Sequence, residues 1–325
     1  MKKTDRLVPF QFRILCYAFY RKCRKNNFYG SHFLMSEKYI LYNPYAGGPE
    51  AKKAVKALQE SNPGAAIINI CRITSYTTLF NGLEPDASVI LCGGDGTLNR
   101  FINDVDGIKI QNKLYYYPTG TGNDFARDVN QKPFSDPTVC LKPYFERLPR
   151  VNVKGKSSLF LNNVGFGIDG YCCEVGDKLR ETSDKPINYA GIAIKGLLFH
   201  YHPTSATVIV DGVEHKYKKV WLAPTMNGRY YGGGMIPTPK QDRLNKEHTV
   251  SVMVYYGSGK VKSLAVFPSI FKGEHVNHKE MVEVLSGKEI TVRFDSPAAL
   301  QVDGETIIGV TEYSVRTGKA AEKLN

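Results

Sequence analysis

The sequence predicts an α/β domain built on a parallel sheet, followed by a second, β-rich domain. From residue 38 to about residue 130, apolar strand-like runs alternate with helix-like runs, a rhythm typical of parallel sheets covered by helices. Three of the predicted strands end in glycine-bearing loops. After about residue 150, short strand-like runs dominate the chain. The change is punctuated by four prolines, namely Pro133, Pro137, Pro143 and Pro149.

The elements of the first domain follow from its apolar runs and the turns between them. Strands are predicted at Tyr39–Tyr42, Ala65–Ile70, Ala87–Cys92 and Leu114–Tyr117. Helices are predicted from Pro49, near Tyr76–Leu83, after Thr97 and after Asp124. A proline in the first turn is a common helix start, because its missing N–H would have no partner there.

The second domain is predicted to consist mainly of strands. They are expected at Leu159–Val164, Ala206–Val210, Lys219–Ala223, Thr249–Tyr255, Glu289–Phe294, Leu300–Val302 and Tyr313–Arg316. Helices are expected at Tyr171–Arg180, Tyr189–His200 and Val261–Phe271.

Composition limits the class of protein. The 325 residues are 42% hydrophobic and 23% charged, which predicts a globular chain long enough for two cores. No uninterrupted apolar run approaches the roughly 18 residues that a membrane span needs. The seven cysteines have no disulfide-framework or C-x-x-C spacing, which favours reduced thiols and a cytoplasmic protein.

The positive charge is concentrated in a basic N-terminal extension, residues 1–35. The first 34 residues hold eight Lys or Arg and one acid, Asp5. Three interpretations stay open: a disordered or spurious extension with translation starting at Met35, a helix attracted to anionic lipid, or a segment docked on the fold. Basic-aromatic patches of the kind that bind nucleic acid are not evident elsewhere, so no nucleic-acid partner is predicted.

The Gly93–Thr97 loop, Gly-Gly-Asp-Gly-Thr, follows a buried strand and precedes a helix pattern. Such a turn presents backbone N–H groups to a phosphate. Asp95 at its centre would repel a polyphosphate unless a divalent cation lay between them, so the loop indicates a nucleotide with Mg²⁺ and phosphoryl transfer. It is neither a Walker loop nor a Rossmann fingerprint. The alternative is a plain strand-to-helix turn.

Two companion loops strengthen that interpretation. In open parallel sheets ligands bind at the carboxyl ends of strands, so the loops at 43–48, 93–97 and 118–124 should share one edge. In the third loop, the hydroxyls of Thr119 and Thr121 are candidates for phosphate or ribose contacts, and Asp124 for positioning a metal or water. The alternative role for Asn123 or Asp124 is helix capping.

The segment Val302-Asp-Gly-Glu305 lies between apolar runs. Asp-Gly in that setting is the strongest short hairpin signal, and a twin occurs at Val210-Asp-Gly-Val213. Nothing local separates a catalytic aspartate from a turn at either place. His275 and His278 lack a third ligand, so loop histidines are favoured over a zinc site.

Four motifs together resemble the diacylglycerol kinase catalytic-domain family, which includes bacterial lipid kinases and sphingosine and ceramide kinases. They are Asn43-Pro-Tyr-Ala-Gly47, Gly93-Gly-Asp-Gly-Thr-Leu-Asn99, Pro118-Thr-Gly-Thr-Gly-Asn-Asp-Phe125 and Val302-Asp-Gly-Glu305. The resemblance spans about residues 38–317. It implies a phosphofructokinase- or NAD kinase-like ATP-binding domain over residues 36–149, to which a final strand at about 307–317 returns. A β-sandwich lipid-substrate domain is implied over 150–306.

The resemblance also implies the ATP-binding residues. They are Asn43, Pro44, Tyr45, Ala46, Gly47, Thr74, Gly93, Gly94, Asp95, Gly96, Thr97, Leu98, Asn99, Arg100, Thr121, Asn123 and Asp124. Asp95 and Asp124 would lie near the phosphates and Mg²⁺. The hairpin would carry the general base, which raises Asp303 above its twin Asp211 and keeps Glu305 as a close competitor. The glycine-rich stretch Asn227–Gly234 resembles a loop of the family's second domain.

Two departures from the family pattern stand out. Many bacterial members have Glu after the asparagine of the second motif, where this chain has Arg100. Many also bind a structural Mg²⁺ in the second domain through an aspartate. Aligned without gaps, Glu247 replaces that aspartate, and the backbones of Leu244 and Thr249 would supply the other ligands.

We therefore expect an ATP- and Mg²⁺-dependent lipid kinase that phosphorylates a lipid hydroxyl, with diacylglycerol or a related lipid as acceptor, and feeds phospholipid metabolism. It would be cytoplasmic and peripheral at the inner face of the membrane. The lipid stays open, and so does the oligomeric state, with a homodimer possible. The alternatives are a soluble kinase of the NAD kinase type and a non-catalytic lipid- or nucleotide-binding protein.

Overall fold

The computed structural model describes residues 36–130, 138–182 and 189–318, so the basic extension lies outside the described residues. The first domain contains a five-stranded sheet with strand order β2-β1-β3-β4-β5. Its strands are β1 (Lys38–Tyr42), β2 (Ala66–Asn69), β3 (Ser88–Gly93), β4 (Lys113–Pro118) and β5 (Val139–Cys140). The first four are parallel, as predicted, and β5 adds an antiparallel edge.

Helices cover both faces of this sheet. They are α1 (Gly48–Glu60), α2 (Tyr76–Asn81), α3 (Asp95–Asp104), α4 (Asp124–Val129) and α5 (Lys142–Phe145). Leu58 of α1 packs with Ile40 and Ile90 on one face, whereas Phe101 of α3 packs with Leu41 on the other. The apolar residues at helical spacing in the sequence are therefore the buried stripe of each helix.

The second domain is a ten-stranded, largely antiparallel sheet folded into a sandwich. Its strands are β6 (Arg150–Val153), β7 (Lys156–Leu159), β8 (Asn163–Gly167), β9 (Thr204–Val210), β10 (Val213–Val220), β11 (Leu222–Met226), β12 (Val250–Tyr255), β13 (Val282–Gly287), β14 (Glu289–Val302) and β15 (Glu305–Arg316). The two-domain fold class predicted from the sequence is confirmed.

The long strand β14 belongs to both layers of the sandwich. Residues 290–294 pair with β9, residues 300–302 pair with β8, and the register with β15 shifts between these halves. Phe166 of one layer stacks on Phe294 of the other at a centroid distance of 4.5 Å. A single hydrophobic core therefore fills the space between the two layers, which are connected by β14.

Helical segments cover the outer face of the layer formed by β11 and β12. They are α6 (Ile168–Thr182), α7 (Tyr189–Lys195) with a π-helical turn (Gly196–His200), and α8 (Lys260–Val266) with a 3₁₀ turn (Phe267–Lys272). Trp221, Met253 and Ile270 form their shared core. Within the described ranges, no helix is both long and apolar enough to cross a membrane.

The final strand is not where the sequence analysis expected it. We predicted that residues 307–317 return to the first domain, but β15 pairs with β14 and β6 in the second sheet. The physical reason is the two-residue turn at Asp303 and Gly304, which places β15 directly against β14.

The strand predicted at Leu159–Val164 is interrupted. β7 ends at Leu159 and β8 begins at Asn163, leaving residues 160–162 as a short irregular connection. In this connection the N–H of Phe160 donates to the carbonyl of Pro149 at 3.2 Å, whereas the N–H groups of Leu161 and Asn162 donate to the carboxylate of Asp303.

Candidate active site

Three loops meet at the carboxyl edge of the first sheet. They follow β1, β3 and β4, as the sequence predicted. The N–H of Thr119 donates to the carbonyl of Gly93 at 2.8 Å. The amide of Asn43 donates to the hydroxyl of Thr97 at 3.1 Å. These contacts bring the three glycine-bearing motifs into one continuous surface.

Glycine is required where these loops touch. A Cβ on Gly120 would lie 2.6 Å from the Cα of Gly94. A Cβ on Gly47 would lie 2.3 Å from the carbonyl oxygen of Thr119, and the φ of Gly47 is +72°. Backbones that approach this closely leave no room for a side chain.

Asp95 organises the third loop. Its Oδ2 accepts the N–H of Asp124 at 2.9 Å, and its Oδ1 accepts the N–H of Phe125 at 3.0 Å. The carboxylate therefore caps α4 from a different loop, a role that the sequence analysis considered only for Asn123 or Asp124. Asn123 instead bonds through its side chain to both backbone groups of Gly120.

Asp124 is a buried carboxylate with one open coordination position. Its Oδ2 accepts the N–H of Gly233 at 2.7 Å. Its Oδ1 accepts no hydrogen bond from the described residues, and the nearest cation, Nη1 of Arg127, is 3.8 Å away. Burial, together with the charge of Asp95, raises the pKa of Asp124 to about 6.

The observation that fits a cation here is the buried Oδ1 of Asp124, which accepts no hydrogen bond from the described residues. Gly122 lies between the two carboxylates, since a Cβ on it would be in ordinary contact with Oδ2 of Asp95 at 3.6 Å and with Oδ2 of Asp124 at 3.8 Å. Carboxylate oxygens are preferred ligands of Mg²⁺, which commonly binds one or two of them along with substrate phosphates. The residues present therefore fit Mg²⁺ held together with a nucleotide.

Asp303 occupies the first position of the turn between β14 and β15. Its φ of +47° and the φ of +90° at Gly304 are typical of a two-residue hairpin turn. Its carboxylate accepts four hydrogen bonds. The donors are Nδ2 of Asn99 at 2.5 Å and the N–H groups of Leu161 at 2.5 Å, Asn162 at 2.7 Å and Asn163 at 2.9 Å.

These contacts explain the interruption between β7 and β8, since the freed N–H groups converge on Asp303. Burial raises the pKa of Asp303, and the backbone and Asn99 hydrogen bonds oppose that effect. A carboxylate offers about four acceptor positions. All four are in use, so Asp303 joins the two domains through Asn99 and the irregular connection.

The twin turn at Asp211 has the same backbone but different partners. Asp211 has φ +48°, and its Oδ1 accepts the N–H groups of Lys288 and Glu289 at 2.9 and 2.8 Å. Those groups belong to the β13–β14 connection and its edge, away from the three loops. Tertiary placement therefore separates the two aspartates that local sequence did not.

Glu305 begins β15 one residue beyond the turn. Its side chain is exposed and accepts no hydrogen bond from the described residues. Gln301 secures the turn from below, because its Oε1 accepts the N–H of Gly304 at 2.9 Å. The hairpin thus carries one fully engaged carboxylate, Asp303, and one free carboxylate, Glu305.

A buried charge network connects the two domains beneath the site. Arg243 donates to Asp128 at 2.5 Å, to the carbonyl of Leu161 at 2.5 Å and to Oδ1 of Asn162 at 2.6 Å. Asp128 also accepts Nε of Arg229 at 2.7 Å. Asn162 Nδ2 lies 3.5 Å from Asp95, so the network reaches the phosphate loop.

The predicted structural metal site has a different occupant. The carbonyl of Leu244 accepts a hydrogen bond from Nη1 of Arg147 at 3.2 Å. The carbonyl of Thr249 accepts amide groups of Gln241 and Asn245, both at 2.9 Å. Glu247 is exposed, and the described residues contain no group of three metal-ligating side chains. The residues present do not fit a second Mg²⁺ here.

The remaining predicted ATP contacts are peripheral or buried. Tyr45, Thr74 and Thr121 are exposed along the edge. Arg100 is exposed and pairs with Asp104 at 3.6 Å. Leu98 has no exposed surface and packs in the core of the first domain, so only its backbone is available to a ligand.

Two residues near the site, Asn162 and Arg243, were not predicted from the sequence as functional candidates. Asn162 and Arg243 lie in unremarkable local sequence, and they reach the site only because the second domain folds against the first. Gly233 lies in the glycine-rich stretch that the sequence analysis singled out, and its φ of +83° is the physical counterpart of that signal. His275 is not the solvated loop histidine that we expected, because it is fully buried and bonds the carbonyl of Pro237 at 3.0 Å.

Glycine loops at the carboxyl edge of an α/β sheet, convergent carboxylates and a β-sandwich packed over them define the class of two-domain kinases. The family model described as "Diacylglycerol kinase catalytic domain" matches residues 37–150. The model described as "YegS C-terminal NAD kinase beta sandwich-like domain" matches residues 162–317. The chain belongs to the diacylglycerol kinase catalytic-domain family and is a lipid kinase.

Individual relatives are distant. A protein named diacylglycerol kinase from Mycobacterium tuberculosis is 26% identical over 225 residues, covering 67% of this chain and 70% of the relative. A crystal structure described as a diacylglycerol kinase from Bacillus anthracis str. Sterne superposes with a TM-score of 0.56 at 16% identity. That match covers 90% of this chain and 100% of the other, and it supports the fold.

Proposed function

We propose that this protein transfers the γ-phosphoryl group of ATP, with Mg²⁺, to the hydroxyl of diacylglycerol or a related lipid at the cytoplasmic face of the membrane. The observation that carries the proposal is the convergence of Asp95, Asp124 and the Asp303 hairpin beside three glycine loops. Family membership supports the reaction class, and the site geometry supports the roles given below.

The loops at 43–47, 93–97 and 118–124 would hold the nucleotide. A triphosphate at this edge would accept hydrogen bonds from backbone N–H groups of the glycine loops. Asp124, whose Oδ1 accepts no hydrogen bond from the described residues, and Asp95 would hold the Mg²⁺ that accompanies ATP. Bound Mg²⁺ supplies neutralisation of the charge on the β- and γ-phosphates.

The transfer needs a base at the lipid hydroxyl. The bond between Pγ and the β–γ bridging oxygen breaks to release ADP, a new bond forms between Pγ and the lipid oxygen, and the hydroxyl proton passes to a carboxylate. We favour Glu305 over Asp303 as that carboxylate. Asp303 has no free acceptor position, whereas Glu305 is exposed and unpartnered within the described residues.

In this assignment Asp303 positions the hairpin. Its four hydrogen bonds fix the turn relative to Asn99 of the first domain and to the β7–β8 connection. A fixed hairpin would hold Glu305 in one position relative to the nucleotide loops. Holding a catalytic group in one geometry is a large part of the rate enhancement expected of a kinase.

The test is transfer of labelled γ-phosphate to a panel of lipids, to NAD and to water. Label in a lipid supports the proposal. Label in NAD and no lipid would establish the soluble NAD kinase-type alternative, and nucleotide binding without transfer would establish a binding protein.

Three variants separate the roles on the hairpin. Glu305→Gln should lose transfer with unchanged stability, because its side chain makes no folding contact. Asp303→Asn should lose both phosphoryl transfer and stability. Its amide NH₂ would face backbone N–H donors, which should lower the free energy of unfolding by about 1–3 kcal/mol. Asp211→Asn is the matched control: it alters the same type of turn outside the site, so it should lose stability and retain specific activity. Full transfer by Glu305→Gln would exclude Glu305 as the base.

A further inference from the structure

An unusual amount of apolar surface is exposed on two neighbouring segments of the second domain. We define the docking surface as the exposed side chains of residues 189–202 and 259–272. Its apolar members are Ile194, Phe199, Val261 and Phe271, which are 46%, 68%, 83% and 46% exposed. Single exposed apolar residues are ordinary, but a contiguous group on a folded domain indicates an interaction surface.

The two segments lie side by side on one core. Nζ of Lys260 donates to the carbonyl of Leu198 at 3.1 Å, which joins the start of α8 to the π-helical turn. Ala193 of the first segment, and Val266 and Ile270 of the second, are buried in the same cluster. Because their inner faces share this core, the exposed side chains lie on the outer side of the same layer.

The charge of the docking surface is one-sided. Neither segment contains Asp or Glu. Lys195, Lys262 and Lys272 are its exposed cations, whereas Lys260 is half-buried and bonded to the carbonyl of Leu198. Lys262 is paired with Glu280 of a neighbouring element at 2.8 Å. Exposed apolar side chains among lysines match the interface of an anionic bilayer, where apolar groups enter the acyl boundary and lysines meet the headgroups.

The docking surface is connected to the hairpin of the candidate active site. Thr306, next to Glu305, donates to Oδ2 of Asp177 on α6 at 2.7 Å. The other side of α6 packs against α7, where a Cβ on Gly176 would meet the ring of Tyr189 at 2.8 Å. Helix α6 therefore contacts both the hairpin and α7, which carries part of the docking surface.

We propose that residues 189–202 and 259–272 dock the protein on an anionic lipid bilayer, with Ile194, Phe199, Val261 and Phe271 inserted among the headgroups. The proposal rests on the lipid acceptor proposed above, and it adds the surface by which that acceptor is reached. A second copy of this chain or a protein partner would also cover apolar residues. The absence of acids in both segments favours anionic lipid over either.

The test measures partitioning of the full-length protein onto vesicles of phosphatidylcholine alone and of phosphatidylcholine mixed with phosphatidylglycerol. The variant Phe199→Ser with Val261→Ser removes two exposed apolar side chains. Its partition coefficient on anionic vesicles should fall on the order of 100-fold, given the transfer free energies of Phe and Val. Val213→Ser is the matched control, since Val213 is 60% exposed on the β9–β10 hairpin; it should bind as the wild type does.

Residues 1–34 are present in every protein compared, so their contribution cancels. Equal partitioning of the double variant and the wild type would overturn the proposal. So would a wild-type dimer that the double variant converts to monomer, since the surface would then be a self-interface.

An activity readout keeps this test distinct from that of the proposed function. With short-chain diacylglycerol dissolved as monomers, the double variant should match the wild type, and with vesicle-borne diacylglycerol it should be slower. If neither protein phosphorylates any lipid but only the wild type binds vesicles, the proposed function fails while the docking surface stands.

Discussion

Replacing Asp124 by asparagine should make the protein more stable and, at the same time, impair nucleotide binding. Burial raises the pKa of Asp124 from its ordinary 3.8 to about 6. Between those values the unfolded chain gives up its proton while the folded chain retains it. Stability is therefore lost as pH rises through this window, and above it the folded protein carries a constant penalty for a buried charge.

The size of the effect follows from the two pKa values. One pKa unit is equivalent to about 1.4 kcal/mol, so the penalty at neutral pH is about 3 kcal/mol. Asparagine keeps the shape of the side chain, and its oxygen can still accept the N–H of Gly233. The variant should be more stable than the wild type by about 1 kcal/mol near pH 4.5 and by about 3 kcal/mol near pH 7.5.

Urea denaturation across this pH range, without nucleotide, measures the difference. Asp86→Asn makes the same chemical change at an exposed position and should stay within about 0.5 kcal/mol of the wild type. Binding of ATP with Mg²⁺, measured by calorimetry, should weaken only in the Asp124 variant. A stability difference that does not change with pH, or a variant less stable than the wild type near pH 7.5, would refute the reasoning.

Three further predictions concern the supports of the site. Gly120→Ala should destabilise the fold by about 1–3 kcal/mol through overpacking. In Gly96→Ala the added Cβ has no atom within 4 Å, so this variant should keep or raise the stability of the fold and weaken ATP binding. Urea titration measures the stabilities and calorimetry the nucleotide binding, and equal stability of the two variants would contradict the close-packing argument. At the predicted structural metal site, the melting temperature of the nucleotide-free protein should be insensitive to EDTA. Arg147→Met should lower the stability of the fold by about 1–3 kcal/mol, because it removes the hydrogen bond to the carbonyl of Leu244. A wild type that melts at a lower temperature with EDTA would place a metal where the Arg147 guanidinium lies. Arg243→Met should lower the free energy of unfolding by about 3–5 kcal/mol, because it removes one of the two arginine partners of buried Asp128. Combining it with Asp128→Asn should recover part of that stability. An unchanged stability of the single variant would show that Arg229 alone is enough to pair with Asp128.

The parts of the site that the sequence predicted are those in which local chemistry is decisive. Glycines at the ends of apolar runs predicted three loops at one sheet edge, because strand direction fixes where such loops meet. Asp95 was expected to organise phosphate and Mg²⁺, since an acid among phosphate-binding glycines needs a cation beside it, and that role stays a prediction. The structure adds that its first partner is the backbone of Asp124 and Phe125.

The parts that the sequence did not predict depend on contacts between distant segments. Asn162 and Arg243 have no distinctive neighbours, and their roles arise because Asp303 and Asp128 lie opposite them in the fold. In the sequence, the residues between Leu159 and Asn163 look like part of one continuous apolar strand. The strand pairing stops there because N–H groups of this stretch donate to the carboxylate of Asp303. The hydrophobic periodicity of a sequence indicates which residues are buried, but it does not indicate hydrogen bonds between distant segments.

The final strand shows a related limit. Its apolar pattern correctly indicated a strand, but the choice of neighbouring sheet depends on the short turn before it and on the edge that β6 offers. The Asp-Gly signal predicted the turn itself at both Asp211 and Asp303. What distinguishes them is the set of N–H groups that each carboxylate faces, which is a property of the assembled domain.

The position of β14 in both layers of the sandwich has a consequence for the thermal unfolding of the enzyme. The strand runs through both layers of the sandwich and ends at the hairpin that holds Asp303 and Glu305. Melting of either layer would therefore release the hairpin, so loss of catalysis and loss of the second domain's structure should occur as one cooperative event. Such a protein would accumulate no half-melted species that binds lipid with a distorted hairpin, and a heated population would consist of fully competent and fully inactive molecules.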